Sequence, residues 1–318
     1  MPMKLIIQIP CYNEEKTLPV CLRALPRNVA GFEKVEWLVI DDGSSDRTQE
    51  VARAHGVDHL VCFPKNKGLA KGFMAGLEAC IRLGADVIVN TDADNQYEAD
   101  DIPLLIRPIL EGKAEMVVGC RPINDIEHFS STKKLLQRLG SKVVRIASKT
   151  SVVDATSGFR AISRDAAMRL NVFNEYTYTL ETIIQAGQKN MAVVSVPVRT
   201  NAFLRPSRLM HSISSYIRKS VSTIVRIFVV YKPFRFFMTI GAVLLLGGLL
   251  VSLRFLYYYM TSGGGGHIQS LILASILVGF GGQLVLVAFL SDLLSVNRRL
   301  LEDVQYRIKI IENIAKDE

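Results

Sequence analysis

Over roughly its first 230 residues the chain alternates short apolar runs with charged stretches, and two long uncharged apolar runs follow. Leu5-Ile6-Ile7-Gln8-Ile9, Trp37-Leu38-Val39-Ile40, His59-Leu60-Val61-Cys62 and Val87-Ile88-Val89 have the length and composition of buried strands. Between them the pattern predicts helices from about Glu15, from about Asp46 and over Gly68 to Leu83. Strand alternating with helix predicts a parallel sheet covered on both faces, and such sheets collect ligands at the carboxyl ends of their strands. Further on, Lys133 to Lys149 reads as a basic amphipathic helix, Glu175 to Ala186 as another helix and Val193 to Val198 as a closing strand.

The two uncharged runs, Phe236 to Leu253 and Ile268 to Ser291, are each long enough to cross a bilayer, and Ser262-Gly263-Gly264-Gly265-Gly266 connects them. A membrane hairpin fits this pattern better than two buried core helices. Arg205, Arg208, Arg218, Lys219, Arg226, Lys232 and Arg235 precede the first run and Arg298 and Arg299 follow the second, whereas the connector offers only Arg254 and His267. The positive-inside rule then places both termini and the catalytic part in the cytoplasm, in a multi-pass protein of the inner membrane. No secretory signal is expected ahead of Met1-Pro2-Met3-Lys4, which runs directly into a strand. Leu209, Ile213, Ile217, Val221, Ile224 and Phe228 recur at helical spacing among cations, as in a helix lying in the membrane interface. The expected organisation is a cytoplasmic domain over 1–207, interfacial helices over 208–233, the hairpin over 234–294 and a C-terminal helix over 295–318. In that last helix Leu294, Asn297, Leu301, Val304, Ile308, Ile311 and Ala315 keep steps of three and four. Such a seam fits either association with another helix, hence a homo-oligomer, or packing on its own domain.

The net charge of +8 raises the question of nucleic acid, but the cations gather beside the apolar runs, where anionic lipid headgroups account for them. Nucleic acid is therefore not an expected partner, whereas membrane lipid is. The five cysteines, Cys11, Cys21, Cys62, Cys80 and Cys120, show no metal-binding or redox spacing. They read as reduced thiols in or near the core.

The chemistry lies in the polar clusters that close the predicted strands: Pro10-Cys11-Tyr12-Asn13-Glu14, Asp41-Asp42-Gly43-Ser44-Ser45-Asp46, Asn66-Lys67-Gly68, and Asp92-Ala93-Asp94-Asn95-Gln96. Alternation at a strand end sends Asp92 and Asp94 to one side, and Gln96 can add a third oxygen. Hard divalent cations take such ligands, and a nucleoside diphosphate is the natural anionic partner of the bound metal. Taken alone, the pair also fits ordinary turn aspartates. Neither a G-x-G-x-x-G nor a G-x-x-x-x-G-K-[ST] run occurs, so a glycine cradle for phosphate is not indicated.

Together, I-P-C-Y-N-E-E, D-D-G-S-S-D, D-A-D-N-Q and the C-terminal pair of apolar runs resemble the inverting family 2 glycosyltransferases of the GT-A fold. More closely, they resemble the polyisoprenyl-phosphate glycosyltransferases, of which dolichyl-phosphate mannose synthase is the best known. The resemblance covers nearly all of residues 4 to 295. It implies an α/β fold, a GT-A nucleotide-sugar-binding domain with a mostly parallel central sheet, followed by interfacial helices and a two-helix transmembrane hairpin. It implies that Pro10, Tyr12, Glu14, Ile40, Asp41 and Asp42 hold the nucleoside. Asp92, Asp94 and Gln96 would hold Mg2+ or Mn2+, with Ala93, Arg121 and Arg208 also lining the donor. Asp92, Asp94, Arg121 and Arg205 would act on the departing diphosphate. Lys133, Lys134, Arg138, Ser207 and Arg208 would gather the phosphate of a polyprenyl acceptor, undecaprenyl or dolichyl. The donor is expected to be a UDP-sugar rather than a GDP-sugar, carrying a hexose or an N-acetylhexosamine. One departure stands out: the family commonly has an arginine several residues before its G-E-S-K segment, where this chain has Ala202 or Phe203. Arg199 or Arg205 could take that role.

Two rival readings differ in their requirements. A processive polysaccharide synthase carries Q-x-x-R-W, and the single tryptophan, Trp37, sits in a predicted strand. A non-catalytic membrane scaffold would not need Asp92, Asp94 and Gln96.

Overall fold

The computed structural model describes residues 3–122, 144–145, 148, 150–172, 178–202, 222, 225–226, 229–263 and 268–317. Seven strands in these residues form one sheet: β1 (Lys4–Cys11), β2 (Lys34–Asp41), β3 (His59–Cys62), β4 (Val87–Asn90), β5 (Met116–Cys120), β6 (Arg160–Ser163) and β7 (Val193–Pro197). Their order is β3-β2-β1-β4-β6-β5-β7. All neighbours are parallel except β6, which runs antiparallel to both β4 and β5. The predicted parallel sheet is therefore interrupted by one reversed strand that the apolar pattern did not announce. β6 opens on Arg160 and is only four residues long, so it lacks the apolar run by which the others are recognised.

The helices of this unit are α1 (Leu18–Ala24), α2 (Thr48–Ala54), α3 (Leu69–Arg82), α4 (Ile102–Leu110), α5 (Arg164–Arg169) and α6 (Thr179–Gln188). Period-two alternation divides the core. Leu5, Ile7 and Ile9 of β1 pack with Leu18 and Leu22 of α1 and with Ile102, Leu105 and Ile106 of α4. Positions of the other parity turn toward α3, whose Gly76 lies against Gln8 and Ile40. Each fully buried aliphatic side chain in these layers contributes about 2 kcal/mol. Helices α1 and α2 start two or three residues after the positions expected from the pattern, because the intervening residues build turns at the strand ends. The expected helix over 133–149 lies outside the described residues, apart from helical positions 144, 145 and 148. The interfacial helices lie outside them as well, apart from helical positions 222, 225, 226 and 229–231.

The chain divides into two compact units, Met1–Ser220 with Gln305–Glu318, and Val221–Val304. The second unit contains α7 (Pro233–Ser262) and most of α8 (Ile268–Asp317). Both are long and apolar enough to cross a membrane, with mean hydropathy 2.3 in their most apolar windows. They pair antiparallel, with Phe234 edge-on to Phe289 and Gly248 against Val278. Tyr257, Tyr258 and Tyr259 cluster toward one end of α7, and at the other end of the hairpin the Arg298 guanidinium stacks over Tyr231. Aromatic and cationic anchors of this kind suit the two interfaces of a bilayer. The last turns of α8 belong to the first unit. There the Tyr306 hydroxyl donates to Asp165 Oδ1 at 2.6 Å, and Lys309 Nζ donates to the Met168 carbonyl at 3.3 Å. These contacts come from Tyr306 and Lys309, off the apolar seam; the seam residues Leu294, Leu301, Val304, Ile308 and Ile311 are exposed, so neither reading of the seam is seen among the described residues.

Candidate active site at the carboxyl ends of the strands

Parallel register brings the first two polar clusters together: Pro10 pairs with Ile40 and Cys11 with Asp41. Both turns are then laced to each other. The Asn13 amide donates to Ser44 Oγ at 2.9 Å, the Ser45 amide donates to Asn13 Oδ1 at 2.8 Å, and the Glu14 amide donates to Thr48 Oγ1 at 2.8 Å. Asn13 itself sits in the left-handed region at φ 54°, which asparagine tolerates. Asp41 is fully buried and accepts from the Ser44 amide at 3.2 Å and from Gln49 Nε2 at 2.6 Å. Asp42 accepts from the amides of Lys67 and Gly68 at 2.7 and 2.9 Å, which fixes the loop after β3. Both carboxylates thus shape the loops that close β2 and β3. Ile40 is buried in the sheet, Glu14 is buried and accepts from Thr17 Oγ1, and Tyr12 is exposed.

The fourth cluster follows β4, where the Thr91 amide still bonds to the Gln8 carbonyl at 3.1 Å. Asp92 and Asp94 come next, both half-buried, with Ala93 turned into the core. The Gln96 amide donates to Asp94 Oδ1 at 3.2 Å, and Asn95 adopts φ 54° to close the turn. Asp92 differs from its neighbours. Asp41, Asp42, Asp46, Asp101 and Asp154 all accept hydrogen bonds, whereas among the described residues none donates to the Asp92 side-chain oxygens. Burial, and then the charge of Asp94, push the Asp92 carboxyl up to about 7, although Arg121 and Arg160 oppose the shift. A divalent cation answers this arrangement, because it satisfies hard oxygen donors and removes the repulsion between them. No group of three His, Cys, Asp or Glu side chains able to hold a metal occurs among the described residues. Two carboxylates and one amide oxygen therefore suit a metal that keeps positions for phosphate oxygens and water, as Mg2+ does.

Behind Asp92 lies a shelf built from Asp154-Ala155-Thr156-Ser157-Gly158-Phe159-Arg160. A Cβ on Gly158 would stand 2.9 and 3.0 Å from the two Asp92 oxygens and 3.1 Å from the Tyr178 hydroxyl. The Gly158 carbonyl accepts from Asn90 Nδ2 at 2.8 Å and its amide donates to the Tyr97 hydroxyl at 2.9 Å. Asn90 Nδ2 also donates to the Tyr178 hydroxyl at 2.9 Å, and Asn90 Oδ1 accepts from Gln8 Nε2 at 2.9 Å. The Tyr178 ring is stacked 3.8 Å from Phe73. Arg160 is fully buried, donating to the carbonyls of Ser157 and Ala155 at 2.8 and 3.0 Å and to Thr182 Oγ1 at 2.5 Å. Its hydrogen bonds go to neutral oxygens, and the negative charges of Asp154 and Asp92 help to offset the burial of the guanidinium. Asn90, Gly158, Arg160 and Tyr178 were not among the expected site residues. Asn90 sits two residues before Asp92, whereas Gly158, Arg160 and Tyr178 come from distant parts of the chain.

Arg121 extends from the end of β5 toward this shelf. Its guanidinium forks onto Asp154, Nε to Oδ2 at 2.7 Å and a terminal nitrogen to Oδ1 at 3.1 Å, and it also reaches Thr156 Oγ1 at 2.9 Å. Asp154 and Thr156 thus hold the guanidinium in place, where its positive charge acts on Asp92. Arg199 is likewise engaged: its amide and guanidinium bind buried Asp101 at 2.6 to 3.0 Å. That leaves Arg205 as the other candidate for the missing arginine. Arg205, Ser207, Arg208, Lys133, Lys134 and Arg138 lie outside the described residues. Cys11 and Cys21 are buried, and burial raises both thiols, Cys21 to about 12, so neither supplies a thiolate nucleophile.

A mostly parallel sheet with one reversed strand beside β4, carrying a carboxylate pair at its carboxyl edge, defines a GT-A-type glycosyltransferase domain. The chain belongs to glycosyl transferase family 2, whose model matches residues 6–170. Among curated proteins it is 29% identical over 216 residues to the UDP-N-acetylglucosamine--dolichyl-phosphate N-acetylglucosaminyltransferase of Methanococcus voltae, covering 60% of this chain and 83% of that one. It is 27% identical over 206 residues to the undecaprenyl-phosphate mannosyltransferase of Micrococcus luteus, covering 62% and 83%. Among solved structures it resembles glucosyl-3-phosphoglycerate synthase from Mycobacterium tuberculosis in complex with Mn2+, UDP-glucose and phosphoglyceric acid. That match has a TM-score of 0.57 at 20% identity, covers 71% of this chain and 79% of the other, and is a likeness of fold.

Proposed function

We propose that this enzyme transfers one sugar from a nucleoside-diphosphate sugar to a polyprenyl phosphate at the cytoplasmic face of the inner membrane. The observation that carries the reading is the Asp92 carboxylate, which has no donor among the described residues and stands beside Asp94. The two relatives named for dolichyl-phosphate and undecaprenyl-phosphate substrates support a lipid phosphate acceptor, and the two apolar helices supply a membrane for its tail. The mycobacterial neighbour, solved with UDP-glucose and Mn2+, favours a uridine donor over a guanosine one.

In this reading the loops carrying Pro10, Tyr12, Glu14, Asp41 and Asp42 receive the nucleoside. Asp92, Asp94 and Gln96 would hold Mg2+ or Mn2+, which supplies charge neutralisation to the departing diphosphate. A phosphate oxygen of the acceptor forms a bond to the anomeric carbon. The bond from that carbon to the donor diphosphate breaks, and its electron pair leaves with the nucleoside diphosphate. Direct displacement inverts the configuration. The attacking oxygen is already anionic, so positioning and charge screening outweigh general-base help. Arg121, fixed by Asp154, adds a stationary positive charge, while Arg205, Ser207, Arg208, Lys133, Lys134 and Arg138 are proposed for the two phosphate ends. Residues 1–207 would then be the catalytic domain, 208–233 the interfacial connection, 234–294 the membrane hairpin and 295–318 a C-terminal helix.

Asp94→Ala tests the assignment. It should abolish metal-dependent transfer while circular dichroism and melting stay near those of the unaltered enzyme; undiminished transfer would sink it.

A further inference from the structure

The segment that leaves β7 runs back along the metal loop. Tyr97 and Thr200 form an antiparallel bridge, and the Glu98 amide donates to the Arg199 carbonyl at 3.3 Å. Asn201 then binds three successive carbonyls of the loop. Its side-chain Nδ2 donates to the Asn95 and Tyr97 carbonyls at 3.1 and 3.2 Å, and its backbone amide donates to the Gln96 carbonyl at 2.9 Å. These peptides immediately follow Asp94, and one of them belongs to Gln96 itself. The loop needs such a partner. Asn95 holds a left-handed backbone, and outside a regular ladder its carbonyls must find donors one by one. Rotation of any of these peptides would swing the Gln96 side chain and change its distance from Asp94. The same residue begins the stretch that reaches Arg205 four positions later and Arg208 seven positions later.

We infer that Asn201 is a positioning residue for the metal loop, fixing Asp94 and Gln96 through Asn95 and Tyr97. The inference rests on the proposed metal role of Asp92, Asp94 and Gln96. Removing the side-chain amide deletes two neutral hydrogen bonds and leaves the backbone bond to Gln96 in place. On the order of one tenfold loss of metal affinity follows if the loop pays that loss in order.

The test is Mn2+ binding by the full, detergent-solubilised chain in the presence of UDP, read by electron paramagnetic resonance of free Mn2+. Asn201→Ala and Asn201→Ser, the latter polar but too short to span both carbonyls, should each weaken Mn2+ about tenfold. The apparent KM for Mn2+ should rise in parallel, with the donor KM at saturating Mn2+ unchanged. Arg199→Met, which removes the neighbouring anchor on Asp101 and spares the Asn201 bonds, should lower the melting temperature and leave Mn2+ affinity within about twofold. Equal Mn2+ affinity in the Asn201 variants, or an equal loss in Arg199→Met, overturns the inference. If the unaltered chain fails to bind Mn2+ with UDP, the metal loop falls and this inference falls with it.

Discussion

Gly158→Ala probes the closest packing in the site. The added methyl carbon would stand 2.9 and 3.0 Å from the Asp92 oxygens and 3.1 Å from the Tyr178 hydroxyl. Ordinary carbon to oxygen contact begins near ~3.4 Å, so something must move by roughly 0.4 Å. The phenol cannot yield easily, because its ring is stacked at 3.8 Å on Phe73 and its oxygen is held by Asn90 at 2.9 Å. The backbone is also held, by Asn90 at 2.8 Å and Tyr97 at 2.9 Å. Asp92, half-buried and without a donor among the described residues, is the group that gives way. A displacement of several tenths of an ångström approaches the ~0.5 Å within which a catalytic constellation must be held, and a full ångström can cost about 100-fold. We therefore expect kcat to fall about tenfold, the KM for Mn2+ to rise, and stability to drop by about 1 kcal/mol from overpacking. Initial rates of sugar transfer to a detergent-dispersed polyprenyl phosphate across a Mn2+ titration, together with a melting curve, would show this. Unchanged kcat and unchanged Mn2+ dependence would refute the claim that Asp92 must occupy its present position.

Glu36 offers a test of stability against pH. Burial raises its carboxyl, but hydrogen bonds from Lys34 and His59 and the charge of Lys4 outweigh burial and bring it from 4.5 to about 2. A depressed carboxyl stabilises the fold above its unfolded value near 4.5 and ceases to do so as pH falls through about 2. Glu36→Gln should thus lower stability by up to about 3 kcal/mol at pH 7, with the difference shrinking below pH 4.5; a gap that stays constant from pH 7 to pH 3 would contradict the ion cluster. Tyr306→Phe removes the 2.6 Å bond to Asp165 but keeps the ring beneath the Arg169 guanidinium. Amide exchange over 305–317 should accelerate about fivefold, the equivalent of about 1 kcal/mol, and no acceleration would mean that the contact does not hold the helix end.

The parts of the fold that follow from periodicity were legible in the sequence. β1 to β4 declare themselves because Leu5, Ile7, Val39 and Val89 sit in uninterrupted apolar runs, and the hairpin declares itself by the absence of charge. β6 did not, because its buried Arg160 reads as a surface residue unless the carbonyls of Ala155 and Ser157 are known to receive it. The carboxylate pair was visible as a motif, but its supports come from distant positions, Gly158, Tyr178 and Asn201, which sequence spacing cannot bring together. Arg121 illustrates a different limit: a guanidinium announces that it will bind an oxyanion, and only packing shows that Asp154 is the carboxylate that holds it in place. The C-terminal helix is similar, since its apolar steps mark a seam that stays exposed, whereas the contact with the chain's own domain is made by Tyr306 and Lys309, which lie off that seam.

The central claim is most directly tested by incubating the purified full-length protein with UDP- and GDP-sugars, undecaprenyl or dolichyl phosphate, and Mn2+, then extracting the lipid and analysing it by mass spectrometry. The account predicts a lipid phosphate carrying one sugar, formed with a UDP-sugar in preference to a GDP-sugar and lost on chelation of the metal. A polymeric product, or no lipid-linked sugar with any donor, would contradict it.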